Sequence, residues 1–196
     1  MGFLKQYFAS KIPGDNEAAC TCLFFLFQRK GDIVEFLVQN IDLLTSWLSW
    51  SRTTDSDLKK AFLVSLRQLL KPPKTEEERE KINEIVRRLF SNLTSHQKFP
   101  DMGNELNSIE YLVKATDVPF EGIERAGLTV IKKLLNWEWG MRALFSSSMA
   151  VSYLLNRGGA NKPKDILETK YRIVQKTMQS KYFFKSSNVI DAVIGS

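Results

Sequence analysis

Residues able to carry acid–base, nucleophilic or metal chemistry are few in this sequence. The single histidine, His96, lies in the polar stretch Ser95 to Asn104, beside Pro100 and Gly103. An imidazole there is solvated, not set up as a general base. A Cys–His nucleophile pair would require His96 to meet Cys20 or Cys22. Both cysteines sit in an apolar helical run, where thiols pack and stay inert. A structural zinc site takes four Cys or His ligands, and the chain has three such residues in all. Gly158-Gly159 lacks the strand–loop–helix setting of a phosphate cradle and fits a helix stop. Asn92-Leu93-Thr94 matches a glycosylation sequon, which an intracellular chain leaves unused. The expectation is a protein with no catalytic residue, no cofactor and no metal, and therefore not an enzyme.

Charge and aromatic residues suggest binding instead. Between residues 162 and 185, Lys162, Lys164, Lys170, Arg172, Lys176, Lys181 and Lys185 oppose only Asp165 and Glu168. Tyr171, Tyr182, Phe183 and Phe184 are interleaved and could stack on bases. The alternative, favoured here, makes Tyr171 core and the lysines the wet face of a terminal helix, because a phosphate-tracking groove needs more charge. The pairs Arg87-Arg88 and Lys132-Lys133 fall in helices that would line one side of a repeat array and face an acidic partner. Each pair can equally be one solvated and one half-buried cation. Trp137 and Trp139 bracket Glu138 and, on a helix, point apart. Either one plugs a seam and the other stands partly exposed as a binding anchor, or both belong to the core. Arg87, Lys132, Trp139 and Arg142 are the candidate partner contacts.

The elements that must position these residues are helical. Ile123, Ala126, Gly127, Val130, Ile131, Leu134 and Leu135 form one stripe at 3.6-residue spacing. Ile82, Ile85, Val86, Leu89, Phe90 and Leu93 form another, opened by the capping box Thr75-Glu76-Glu77-Glu78. Leu58, Phe62, Leu66, Leu69 and Leu70 mark a third, stopped by Pro72-Pro73. A helix apolar on several sides is expected from Asp32 to Trp50. Another, opened by Pro163, would carry Leu167, Tyr171, Val174 and Met178 on one face. No strand-length alternation of apolar and polar residues appears.

The helices come in pairs, with first members starting near Glu17, Asp57, Asn104 and Glu138, and second members near Asp32, Glu76, Pro119 and Pro163. The steps between successive starts fall in the range of HEAT and armadillo units, each too small to bury its own apolar face. The fold class is all-α, a HEAT/armadillo-like helical-repeat solenoid, with an irregular helical bundle as the alternative. The 196 residues form one domain, 1–196, with a hinge near 95–104. Net charge is +6, a mild bias toward acidic partners. Two cysteines one residue apart are no disulfide framework and fit a reducing compartment. The longest apolar run, Cys22 to Phe27, is far short of the roughly 20 residues that cross a bilayer. The chain is expected to be soluble, with no membrane partner.

In the second half, an ordered series of short matches accumulates. Tyr111-Leu112-Val113 and Val118-Pro119-Phe120 are followed by Ala126 through Leu135. Then come the run from Trp137-Glu138-Trp139-Gly140 through Met141-Arg142-Ala143 to Leu144-Phe145, then Tyr153 to Arg157, Lys170-Tyr171 and Val174. Over roughly residues 104 to 180 this resembles the C-terminal part of the 26S proteasome non-ATPase regulatory subunit 5 family. The resemblance implies a HEAT/armadillo-like assembly chaperone of the regulatory-particle base. Such a protein binds the C-terminal domain of one base ATPase subunit and is absent from the finished proteasome. It also implies a cytoplasmic protein, with the nucleus as a second compartment. Since family members are longer, the chain is expected to be a C-terminal fragment of a longer array. Two other readings stay open: a generic HEAT-type scaffold for protein–protein interaction, and a nucleic-acid-associated helical protein.

Overall fold

The structure, a computed structural model, describes residues 6–8, 10, 12–28, 36, 39–91, 104–156 and 162–179. Every regular element among them is a helix. Two compact units divide the chain, Met1–Leu89 and Phe90–Ser196. The expected hinge at 95–104 lies outside the described residues, except for Asn104, which begins a helix. So do His96, Gly158-Gly159, Lys181, Tyr182, Phe183, Phe184 and Lys185.

The first unit holds α1 (Pro13–Leu26), α2 (Ile41–Ser49), a 3₁₀ turn (Trp50–Arg52), α3 (Ser56–Leu69) and α4 (Glu76–Ser91), whose last two residues belong to the second unit. Asp55 starts α3 by accepting hydrogen bonds from the backbone N–H groups of Asp57 and Leu58, at 2.9 and 3.0 Å, which satisfies two otherwise unpaired donors. The stripe Leu58, Phe62, Leu66, Leu69 and Leu70 is buried, and α1 packs along α3. Trp47 fills this core with its ring against Phe27 and Phe62, at 5.5 and 5.2 Å between centroids. Its indole N–H donates to Ser65 Oγ at 2.9 Å, so the polar end of a buried ring is satisfied.

The helix expected from Asp32 lies outside the described residues at 32–35, 37 and 38, and it breaks at Asn40. Asn40 stands outside helical geometry at φ −117°, ψ 68°, and its amide donates to the Phe36 carbonyl at 2.9 Å. A short amide side chain that bonds its own backbone competes with helix continuation, so α2 begins only at Ile41. At the start of α4, the Glu78 N–H reaches Thr75 Oγ1 at 3.4 Å, the first half of the expected capping box.

The second unit holds α5 (Asn104–Thr116), α6 (Glu121–Leu134), α7 (Glu138–Ser146), α8 (Ser148–Leu155) and α9 (Lys164–Met178). Helix α5 packs against α6, α7 and α8, and α9 packs against α6 and α8. Two glycines permit the closest approaches. A Cβ on Gly127 would lie 2.0 Å from Thr116 Oγ1, and one on Gly140 would lie 2.6 Å from the Leu134 carbonyl oxygen. Where one first-member helix was expected from Glu138, there are two. Ser147, at φ −94° and ψ 109°, breaks the run and caps α8 by accepting from the Ala150 N–H at 3.1 Å.

Helices α6 and α9 are linked at both ends by the same offset. Arg125 Nε donates to Asp165 Oδ2 at 2.6 Å near their starts, and Lys176 Nζ donates to Asn136 Oδ1 at 2.7 Å near their ends. Both pairs are 40 residues apart. A constant offset means that the two helices run side by side in the same direction.

Candidate functional site

The four candidate contacts lie on three helices, α4, α6 and α7. Arg87, exposed on α4, has Nη1 3.9 Å from Glu84 Oε2, one turn back. Lys132 is half-buried in the last turn of α6. Arg142, exposed on α7, is ion-paired with Glu138 four residues earlier. Trp139 is half-buried, its ring 5.4 Å from Phe90 and 6.3 Å from Trp137.

The two tryptophans were expected to point apart, yet their rings stack at 29°. The reason is local. Trp137 precedes the helix as its N-cap, with extended backbone at φ −113°, ψ 131°, so helical angular spacing does not apply to the pair. Trp137 is buried and Trp139 half-buried.

The basic stretch of α9 is also rearranged. Its buried face is Ile166, Lys170, Ile173 and Thr177. Tyr171, expected in the core, is 65% exposed, and Met178 51%. Lys170 turns inward with its side chain 7% exposed. Its ammonium donates to the backbone carbonyls of Tyr153 and Asn156, at 3.0 and 3.3 Å, and lies 3.8 Å from the centre of the Tyr153 ring.

The anion that accompanies it is Glu124, 2% exposed on α6. Lys162 Nζ donates to its Oε2 at 2.6 Å, Lys170 Nζ is 3.8 Å from its Oε1, and the Tyr153 hydroxyl donates to Oε1 at 3.3 Å. Burial pushes the Lys170 ammonium below its ordinary range, with Glu124 acting the other way. Burial and then the Glu124 charge push the Tyr153 phenol up. This network ties α6, α8 and α9 together. A buried ion pair of this kind is weak evidence for added stability but strongly penalises loss of one member. It went unnoticed in the sequence, although a signal existed. Glu124 shares a helical face with Leu128 and Ile131, and Lys170 with Ile166 and Ile173, so both charges occupy core register.

These placements take three of the seven cations out of the run. Lys170 is internal, Lys162 is committed to Glu124, and Arg172 pairs with Glu168 at 2.6 Å. Lys164 stands exposed at the start of α9, Lys181 and Lys185 lie outside the described residues, and Lys176 in the last turn of α9 comes near the last turn of α6, which holds Lys132 and Lys133. Lys176 is held below its ordinary proton affinity by burial first, then by Lys133 and Lys132.

The cysteines separate. Cys20 is buried and its thiol is pushed up to about 12 by burial, while Cys22 is exposed. Among the described residues no group of three or more His, Cys, Asp or Glu side chains is gathered to hold a metal ion. No helix of the described residues is long and apolar enough to cross a membrane.

Comparison with known proteins adds one finding. A family model described as proteasome non-ATPase 26S subunit matches residues 33–192. No curated protein and no solved structure matches the chain significantly.

Proposed function

The chain belongs to the proteasome non-ATPase 26S subunit family, and from that premise we propose that it is a non-enzymatic assembly chaperone. It is a HEAT/armadillo-like array that binds the C-terminal domain of one base ATPase subunit while the 26S regulatory particle is built. The observation that carries this reading is the family match across residues 33–192. The motif series from Tyr111 to Val174, which resembles the regulatory subunit 5 family, narrows a proteasome-associated role to assembly. The 40-residue offset between α6 and α9 supports the repeat architecture, because stacked helical pairs set equivalent helices side by side at the repeat period.

The mechanism is mass action between competing interfaces. Binding lowers the free energy of the unassembled ATPase subunit. Incorporation then displaces the chaperone, because the larger complex buries more surface. No chemical step is needed, and the working compartments are the cytoplasm and the nucleus. Affinity capture of the tagged chain with mass spectrometry tests this. Recovery of a base ATPase subunit without intact 26S particles is the expected result. Recovery of whole particles, or of no ATPase subunit, contradicts it.

A further inference from the structure

The seam between α6 and α9 is electrostatically uneven. At its start, Arg125 is matched by Asp165 at 2.6 Å and by Glu121 at 3.0 Å, and one turn or two further on Arg172 is matched by Glu168. At its end, two parallel helices both finish in basic turns, bringing Lys132, Lys133 and Lys176 to one rim. A cation near a helix C-terminus interacts favourably with the helix dipole, which accounts for one lysine per helix. It does not account for crowding. An ammonium on a flexible four-carbon stem would ordinarily swing away from like charges. Here Lys176 is held in place by its bond to Asn136 Oδ1 at 2.7 Å. The charged groups that act on it are Lys133 and Lys132, and only one of its three donors is engaged by Asn136.

We propose that the rim formed by Lys132, Lys133 and Lys176 docks an acidic segment of a protein partner, with two or three carboxylates seated against the ammoniums at the C-terminal end of the α6–α9 seam. The proposal deepens the docking function above and rests on it for the identity of the partner. Charge complementarity selects the occupant. The rim is compact, and three described cations that could extend it into a phosphate-tracking path are engaged elsewhere. Lys170 is buried against Tyr153 and Asn156, Lys162 is bound to Glu124, and Arg172 to Glu168. A nucleic-acid backbone presents charge along its whole length and needs such a path, whereas a short carboxylate cluster does not.

The test uses the full chain, a fluorescein-labelled octaglutamate peptide and a labelled oligothymidylate of equal length. Octaglutamate is expected to bind, to weaken as salt rises, and to bind the K132E/K176E variant about tenfold more weakly. The charge-preserving K132R/K176R variant and the control K164E, which alters the exposed start of α9, should both bind as the parent does. Equal binding by K132E/K176E and parent, or tighter binding of oligothymidylate than of octaglutamate, overturns the proposal. Capture of a base ATPase subunit separates the two ideas. Undiminished capture by K132E/K176E removes this surface and leaves the chaperone function standing. Octaglutamate binding by the parent without ATPase capture does the reverse.

Discussion

Arg125 and Asp165 are 40 residues apart and joined by a 2.6 Å hydrogen bond between Nε and Oδ2. The same offset recurs at the far end of the seam, between Asn136 and Lys176. Two contacts at one offset fix both the direction and the register of α6 against α9, and no single contact would do so. The guanidinium holds the Asp165 carboxyl below its ordinary value of 3.8, chiefly through the hydrogen bond and then through its charge.

That shift has a defined consequence in acid. Because the folded state favours the ionised carboxylate, the contribution of Asp165 is complete above its unfolded value of 3.8 and is lost as pH falls through its lower folded value. Acid unfolding followed by circular dichroism should therefore differ between the parent and Asp165→Asn. The variant should lack this part of the acid-dependent loss below about pH 4. Superimposable acid limbs would show that this exposed pair adds no stability in acid.

Removing the Glu124 carboxylate strands Lys170 among buried groups. Glu124→Ala is expected to cost about 3–5 kcal/mol in urea unfolding, the range for breaking a buried ion pair. Lys170→Met should cost less, because Glu124 keeps Lys162 at 2.6 Å and a methionine stem fills the vacated space. Equal losses in the two variants would mean that the network is not organised around Glu124.

Much of this arrangement was readable in advance. Apolar spacing placed the buried stripes of α3 and α6, and Ile82, Val86, Leu89 and Phe90 of α4, because there the hydrophobic face and the packed face coincide; Ile85 is half-buried and Leu93 lies outside the described residues. In α9 they do not. The stripe Leu167, Tyr171, Val174 and Met178 is more apolar, yet the helix buries Ile166, Lys170, Ile173 and Thr177. A rotation of one residue lets Lys170 meet Glu124 and the carbonyls of Tyr153 and Asn156. A long-range partner for a buried charge is invisible to periodicity. The breaks at Asn40 and Ser147 depend likewise on a local choice between capping and helix continuation. The Lys132–Lys133–Lys176 rim forms only because α6 and α9 end together, a juxtaposition that the spacing around Lys132 does not encode.

Close backbone approach makes Gly140 sensitive. A Cβ there would sit 2.6 Å from the Leu134 carbonyl oxygen, a backbone atom that cannot rotate aside. Gly140→Ala should destabilise the fold by about 1–3 kcal/mol through overpacking, even though alanine is favoured over glycine within a helix by about 1 kcal/mol. A thermal midpoint raised by the substitution would contradict this contact.

The two thiols should react at different rates. Cys22 is exposed, whereas Cys20 is buried with its thiol pushed up to about 12, and the thiolate is the reacting form. Titration with a disulfide reagent at neutral pH should modify one thiol rapidly in the folded chain and the second only in denaturant. Rapid modification of both would show that α1 does not pack on α3 as described.

The chaperone account is tested most directly by where the chain sediments. In a density gradient of cell lysate, it should co-migrate with a free base ATPase subunit in light fractions and be missing from the 26S peak. Stable co-migration with the 26S peak, or separation from every base ATPase subunit, would contradict it.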